Sequence, residues 1–306
     1  MRIGIDLGGT KIEAIILDEN GAERHRIRAS TPQGDYDAIL KTIRDLTEQI
    51  TKMADVSNSI PIGVGIPGTI SSHTGLIKNS NSVCLIGHPL DKDLEAILKR
   101  PVMLANDADC FSISEATDGA GAGANVVFGV ILGTGVGGGI VFNRSPLKGP
   151  NSITGEWGHI ALPWPQTLSG DTDERPGPDC YCGLSGCVET YLSGPGMVRD
   201  HERCSGKTLT TQEIVSGADA GDPECEATLE RYEHRLARGL ASLINIIDPD
   251  VIVLGGGMSN IKRLYKRVPA IWEEWVFSDQ CDTQLKQNAH GDSSGVRGAA
   301  WLWNPA

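Results

Sequence analysis

Apolar and polar positions alternate from the start of the chain. Ile3, Ile5 and Leu7 are separated by Gly4 and Asp6, the period of two of a strand. A second apolar run, Ile12 to Leu17, follows Gly8-Gly9-Thr10-Lys11, so residues 1–17 predict a strand, a tight turn and a returning strand. The two glycines are expected to supply the positive φ of that turn. Residues 24–30 predict a third, more polar strand ended by Thr31-Pro32. Tyr36, Ile39, Leu40, Ile43, Leu46 and Ile50 then mark one face of a helix over about 35–53. A strand over 60–66 runs into Pro67-Gly68, and a hairpin over 69–82 turns near His73-Thr74-Gly75. A helix over 90–99 and a strand over 102–105 lead to Asn106-Asp107, where a helix over about 108–117 begins.

The opening pattern then recurs. Phe128 to Leu132 is apolar, Gly133-Thr134-Gly135-Val136-Gly137-Gly138-Gly139 follows, and Ile140 to Phe142 returns. Leu229, Tyr232, Leu236, Leu240, Leu243 and Ile247 predict one long helix over 223–247, closed by Asp248-Pro249. A buried strand over 251–254 leads into Gly255-Gly256-Gly257-Met258-Ser259, either a plain strand-to-helix connector or a place where adenine approaches the backbone. Residues 295–303 predict an apolar helix that must cover a surface, expected on the first domain. Strands alternating with helices make the class α/β. The expected domains are 1–115 with 290–306, the smaller, and 116–289, the larger, with no linker between them.

Two strand–Gly/Thr turn–strand units resemble the paired phosphate loops of the sugar kinase, heat-shock protein 70 and actin superfamily, whose fold has duplicated cores and an interdomain cleft. Bare backbone N–H groups and a Thr hydroxyl can approach an anion closely. Asp6 at the end of the first strand suits a hydrated Mg²⁺, and Lys11 adds positive charge. Each turn read alone is also an ordinary glycine hairpin. Asp107, placed where a helix starts, reads either as an N-cap or as a general base for phosphoryl transfer.

Composition narrows the partners. The net charge is −12 over 306 residues with no basic cluster, which argues against nucleic acid or an anionic membrane. No signal peptide precedes the first strand and no apolar run reaches transmembrane length, so a cytoplasmic protein is expected. Eight cysteines in such a chain suggest metal ligands or free thiols rather than disulfides. Glu156-Trp157-Gly158-His159 followed by Cys180-Tyr181-Cys182-Gly183-Leu184-Ser185-Gly186-Cys187-Val188-Glu189 offers three thiolates and an imidazole, a closed Zn²⁺ site. Free thiols are the alternative, and His201 with Cys204 a second, weaker pair. A structural zinc here would hold Glu156 and Glu189 rigid. Its loss would then misalign the sugar contacts and touch the ATP contacts less.

Asp6-Leu7-Gly8-Gly9-Thr10-Lys11, Asn106-Asp107, the second glycine turn, the Glu-Trp-Gly-His motif and the cysteine run together resemble the ROK family. That resemblance implies a hexose kinase with Asp107 as catalytic base. It implies ATP contacts at Asp6, Gly8, Gly9, Thr10, Lys11, Gly133, Thr134, Gly135, Gly255 and Gly256, with Mg²⁺. It implies sugar contacts at Gly68, Asn81, Asn106, Asp107, Glu156, His159 and Glu189, and zinc on His159, Cys180, Cys182 and Cys187. His159 would serve the zinc through one ring nitrogen and the sugar through the other. Leu162-Pro163-Trp164, residues 248–259 and residues 290–298 look most like bacterial fructokinases of the manno(fructo)kinase type, which implies fructose, then mannose, as acceptor. Close relatives tend to carry Trp near the position of Cys84. A glucokinase or an N-acetylhexosamine kinase is the alternative, and a sugar-responsive ROK regulator a further one. The family's repressors carry a helix-turn-helix ahead of the first hairpin, where nothing stands before Met1. The expected partners are ATP and a hexose, and the expected assembly a homodimer.

Overall fold

A computed structural model describes residues 1–166 and 174–303. The chain divides into two compact units, residues 1–123, 139–154 and 289–306 in one, and 124–138 and 155–288 in the other.

The first unit is built on a sheet of β1 (Arg2–Leu7), β2 (Lys11–Leu17), β3 (Glu23–Ser30), β4 (Ile62–Ile66) and, after the short hairpin β5 (Thr69–Ile70) and β6 (Ile77–Lys78), β7 (Val102–Asn106). Its order is β3-β2-β1-β4-β7, antiparallel from β1 outward through β2 to β3, and parallel from β1 through β4 to β7. The alternation read from the sequence is the burial pattern: Ile3, Ile5 and Leu7 are buried. Helix α1 (Tyr36–Met53) starts at Asp35, whose side chain accepts the Ala38 N–H at 2.9 Å, and buries Ile39, Ile43, Leu46 and Ile50. Helix α2 (Leu90–Leu98) adds Leu90, Leu94 and Leu98 to the same core. Helix α3 (Asp107–Thr117) leaves the end of β7 directly.

The second sheet repeats this plan with β8 (Val126–Leu132), β9 (Val136–Phe142), β10 (Ser145–Pro146), β11 (Val251–Gly255) and β12 (Gln284–Gln287), in the order β10-β9-β8-β11-β12. Strand β11 runs parallel to both β8 and β12. The sequence pattern begins β9 at Ile140, but the strand starts at Val136 and takes in all three glycines. Gly138 must stay bare there, since a methyl group on it would stand 2.8 Å from the Trp157 ring. Around this sheet lie α4 (Val188–Leu192), α5 (Gly194–Ser205), α6 (Thr211–Asp219), α7 (Pro223–Ile247) and α8 (Leu264–Trp272). Helix α7 is the long helix expected: Asp222 caps it, Asp248 ends it in the left-handed conformation, and Leu229, Tyr232, Leu236 and Leu240 are buried.

The last helix, α9 (Ser294–Trp301), belongs to the first unit and ends short of the expected residue 303; residues 304–306 lie outside the described residues. It lies so close to the first sheet that only glycine fits beneath it. A methyl group at Gly4 would stand 2.3 Å from the Val296 carbonyl oxygen, and one at Gly63 would stand 1.8 Å from that of Ala299. Among the described residues, no helix is long and apolar enough to cross a membrane.

Candidate functional site

In the first unit, the β1–β2 turn is held by its carbonyls. Thr31 Oγ1 donates to Gly8 O at 2.7 Å, Gln33 Nε2 to Gly9 O at 3.0 Å, and Thr31 N–H to Thr10 O at 3.0 Å. The amides of Gly9 and Thr10 have no protein partner among the described residues, which suits an anion. Neither Gly8 nor Gly9 has the positive φ expected of them. Gly8 is needed for another reason: a methyl group on it would stand 2.9 Å from the Lys11 carbonyl oxygen, whereas the space over Gly9 is open.

Three carboxylates lie by this turn. Glu13 is buried and paired with Arg28 at 2.6 Å, Arg26 at 3.1 Å and Lys11 at 3.8 Å. Asp6 faces Glu13 across the β1–β2 register. Burial, then the charges of Asp107 and Glu13, push the Asp6 carboxyl up to about 7, with Lys11 acting the other way. Its side chain also lies against Gly295 at the start of α9. Asp107, exposed, occupies the first position of α3. The N-cap position is Asn106, whose Oδ1 accepts the Ala108 N–H at 2.8 Å, and Asp107 Oδ1 accepts the same N–H at 2.8 Å, so the two side chains share the capping considered for Asp107. Asn106 Nδ2 donates to Gly68 O at 3.2 Å, which joins two residues that the family resemblance assigns to the sugar. A side-chain amide has two hydrogens and two lone pairs, so one of each remains on Asn106. Asn81 is exposed beyond β6, and Cys84 packs half-buried against the core of this unit.

The second unit brings together the other candidates. His159 Nδ1 and the Sγ atoms of Cys180, Cys182 and Cys187 all lie within 4.8 Å of one another. Cys180 Sγ is 3.6 Å from His159 Nδ1, and Cys182 Sγ is 3.6 Å from Cys187 Sγ. Tetrahedral Zn²⁺ with its usual bond lengths separates such ligands by about 3.5–3.8 Å, so the donor set fits that ion. Burial pushes the Cys187 thiol up to about 12, while the Leu184 backbone N–H draws the Cys182 thiol down. Three thiolates this close need a cation between them. All eight cysteines are free of disulfides. The second pair considered, His201 and Cys204, does not form a site: His201 is buried on Thr228 Oγ1 at 2.9 Å, and Cys204 is exposed.

The chain segment after His159 pairs with the segment around Cys187, Leu162 N–H donating to Gly186 O and Val188 N–H to Ile160 O. Glu156 precedes the short helical turn of Trp157 to His159 without capping it by its side chain. His159 Nε2, the nitrogen turned away from the sulfurs, is 2.9 Å from the Tyr181 hydroxyl.

These motifs also hold the β8–β9 turn. Glu189 Oε2 accepts the Val136 N–H at 2.9 Å, Gly194 N–H donates to Gly133 O at 2.8 Å, and Trp157 Nε1 donates to Gly137 O at 3.0 Å. The amides of Thr134 and Gly135 have no protein partner among the described residues. Gly256, with a φ of 77°, packs on the backbone of Leu132 at the end of β8, so its bareness serves strand packing. Sequence reasoning overlooked Trp157, although it stands inside a motif singled out for its Glu and His. It likewise passed over Glu13 and Thr31, which carry no motif of their own.

Comparison with known proteins places this geometry. The model of the ROK family matches residues 2–306. The chain is 38% identical over 304 residues to an N-acetyl-D-glucosamine kinase of Yersinia pseudotuberculosis, covering 99% of this chain and 98% of that one. Among solved structures it is similar to a ROK hexokinase from Thermus thermophilus, with a TM-score of 0.84, 30% identity and 98% and 96% of the two chains covered. A ROK family glucokinase from Streptomyces griseus, in complex with glucose and AMPPNP, aligns with a TM-score of 0.77 and 26% identity over 98% of each chain. The fold is that of the actin-like ATPases. The chain belongs to the ROK family.

Proposed function

We propose that this protein is an ATP-dependent hexose kinase that phosphorylates the 6-hydroxyl of D-fructose, with mannose a slower acceptor and glucose a poor one. The observation that carries the reaction is the pairing of an exposed carboxylate, Asp107, with the desolvated Asp6 beside a turn whose amides await an anion. Asp107 takes the proton of the 6-hydroxyl as that oxygen bonds to the γ-phosphorus and the bond to the β-phosphate oxygen breaks, releasing ADP. The amides of Gly9, Thr10, Thr134 and Gly135 then hold phosphate oxygens, where fixed donors favour the charge of the transferring group. Mg²⁺ bound with ATP would sit by Asp6, screening the phosphates and letting that carboxyl ionise. Glu156, His159 and Glu189 orient the sugar, and His159, Cys180, Cys182 and Cys187 would hold a Zn²⁺ that keeps them in place.

The choice of fructose rests on the likeness of residues 162–164, 248–259 and 290–298 to bacterial fructokinases. A second reading, N-acetyl-D-glucosamine as acceptor, is favoured by the kinases of that name at 38% identity. The two separate in one experiment, kcat/KM for ADP formation with fructose, mannose, glucose and N-acetyl-D-glucosamine. Fructose should lead; a site that pairs a particular hydroxyl rejects an analogue lacking it by up to ~10⁴-fold. A lead for N-acetyl-D-glucosamine would replace the acceptor and leave the chemistry at Asp107 intact.

A further inference from the structure

The loop that carries the sugar and metal candidates also builds the second phosphate turn. Three of the bonds that hold residues 133–137 come from it or its neighbours: Glu189 Oε2 to Val136 N–H, Trp157 Nε1–H to Gly137 O, and Gly194 N–H to Gly133 O. The packing is equally close. A methyl group at Gly135 would stand 2.7 Å from Glu189 Oε2, and one at Gly158 would stand 2.3 Å from the Val136 carbonyl oxygen. Trp157 is buried and set edge-on to Phe128 of β8, so its indole N–H cannot swing away from Gly137. Glu189 lies in the first turn of α4, two residues after Cys187, and one of its oxygens is committed to Val136.

We propose that Glu189 and Trp157 are positioning residues for the nucleotide, and that Glu189 couples acceptor and nucleotide binding. One carboxylate oxygen fixes the phosphate turn while the other meets a sugar hydroxyl. A sugar that orders Glu189 thereby orders the Val136 N–H and the amides of Thr134 and Gly135 beside it. The coupling rests on the hexose-kinase reading; the grip on the turn does not. Coupling of this kind is reciprocal, so nucleotide must tighten sugar to the same degree.

The test is calorimetric titration of Mg·AMPPNP into folded, metal-loaded protein, first with no sugar present. Glu189→Ala should weaken AMPPNP about tenfold, the range of a lost hydrogen bond to a charged acceptor. Glu189→Gln keeps an oxygen for Val136 and should stay within about twofold of wild type, although its sugar affinity falls. Trp157→Phe keeps the ring and loses the donor, and should weaken AMPPNP about fivefold. It also carries the test if Glu189→Ala does not fold. Saturating wild type with its best acceptor should tighten AMPPNP about fivefold or more. AMPPNP affinity within twofold of wild type in both Glu189→Ala and Trp157→Phe would overturn the grip. Equal losses in Glu189→Ala and Glu189→Gln would overturn it too, by showing that charge alone matters. No tightening by the acceptor would overturn the coupling. A protein that phosphorylates no hexose would refute the kinase reading, while the sugar-free titrations would still decide the grip.

Discussion

The two glycine turns occupy the same place in two sheets of the same strand order, yet their surroundings differ. The β1–β2 turn is tied down by Thr31 and Gln33, residues just past its own third strand, and it borders the carboxylates Asp6, Glu13 and Asp107. The β8–β9 turn is tied down by Trp157, Glu189 and Gly194, all distant in sequence. A duplicated plan thus holds two specialised halves. The first carries the carboxylates of the proposed chemistry, and the second joins a turn with unpartnered amides to the loop that carries the candidate metal ligands. A change of charge should therefore be felt at the first turn, and a change of scaffold at the second.

Among the changes that tell the two turns apart, the largest expected effect breaks the scaffold. Cys182→Ser or Cys187→Ser should release the metal, read by elemental analysis as a fall from one zinc per chain, and lower kcat/KM by tenfold or more. Sequence alone suggests that the ATP contacts outlast the metal. The bonds from Glu189 and Trp157 to the second turn predict instead that AMPPNP affinity falls as well. Metal-free protein with wild-type affinity for AMPPNP would separate the loop from the turn.

A smaller effect isolates the charge at the first turn. The Asp6 carboxyl is raised from 3.8 to about 7 in the folded protein, so folding binds a proton there between those values. Its contribution to stability is complete at low pH and is lost as pH rises towards 7. In divalent-free buffer Asp6→Asn should match wild type in Tm near pH 4 and exceed it by about 2 °C or more at pH 8. Equal Tm values at pH 8 would mean that neither burial nor the charges of Asp107 and Glu13 raise the Asp6 carboxyl.

The smallest effect concerns the rim of the metal loop. Tyr181, mostly exposed, bonds His159 Nε2, the nitrogen that the sugar reading also needs. Tyr181→Phe removes that competitor and should lower the acceptor KM by about two- to fivefold with kcat nearly unchanged, the yield of one modest hydrogen bond. A raised KM would show that Tyr181 assists the sugar instead.

Much of the fold was legible because its signals are local. The alternation of Ile3, Ile5 and Leu7, the apolar stripe of α1 and the capped length of α7 are periodic patterns, and the structure buries those residues. The cysteine run was legible because ligand spacing is itself local, and it does converge on His159. What escaped depends on partners far along the chain. Gly137 to Gly139 read as turn, since nothing in their neighbourhood reveals the Trp157 ring that Gly138 must clear. Gly8 read as a residue of positive φ, whereas its role is to clear the Lys11 carbonyl. Asn106 and Asp107 are equally good caps by residue type, and only the backbone geometry puts Asn106 at the cap position while both side chains accept the Ala108 N–H. The raised carboxyl of Asp6 needs burial, the approach of Asp107 and the cross-strand Glu13, none of them visible from a single stretch.

The central claim, that the carboxylate-lined first unit performs phosphoryl transfer with Asp107 as base, is tested most directly by the steady-state turnover of Asp107→Asn at saturating ATP and acceptor. The account predicts kcat lower by about 10²–10⁴-fold. AMPPNP affinity should stay within a few-fold of wild type, because the turn amides and the metal loop are untouched. A folded, metal-loaded Asp107→Asn enzyme turning over at near the wild-type rate would contradict it.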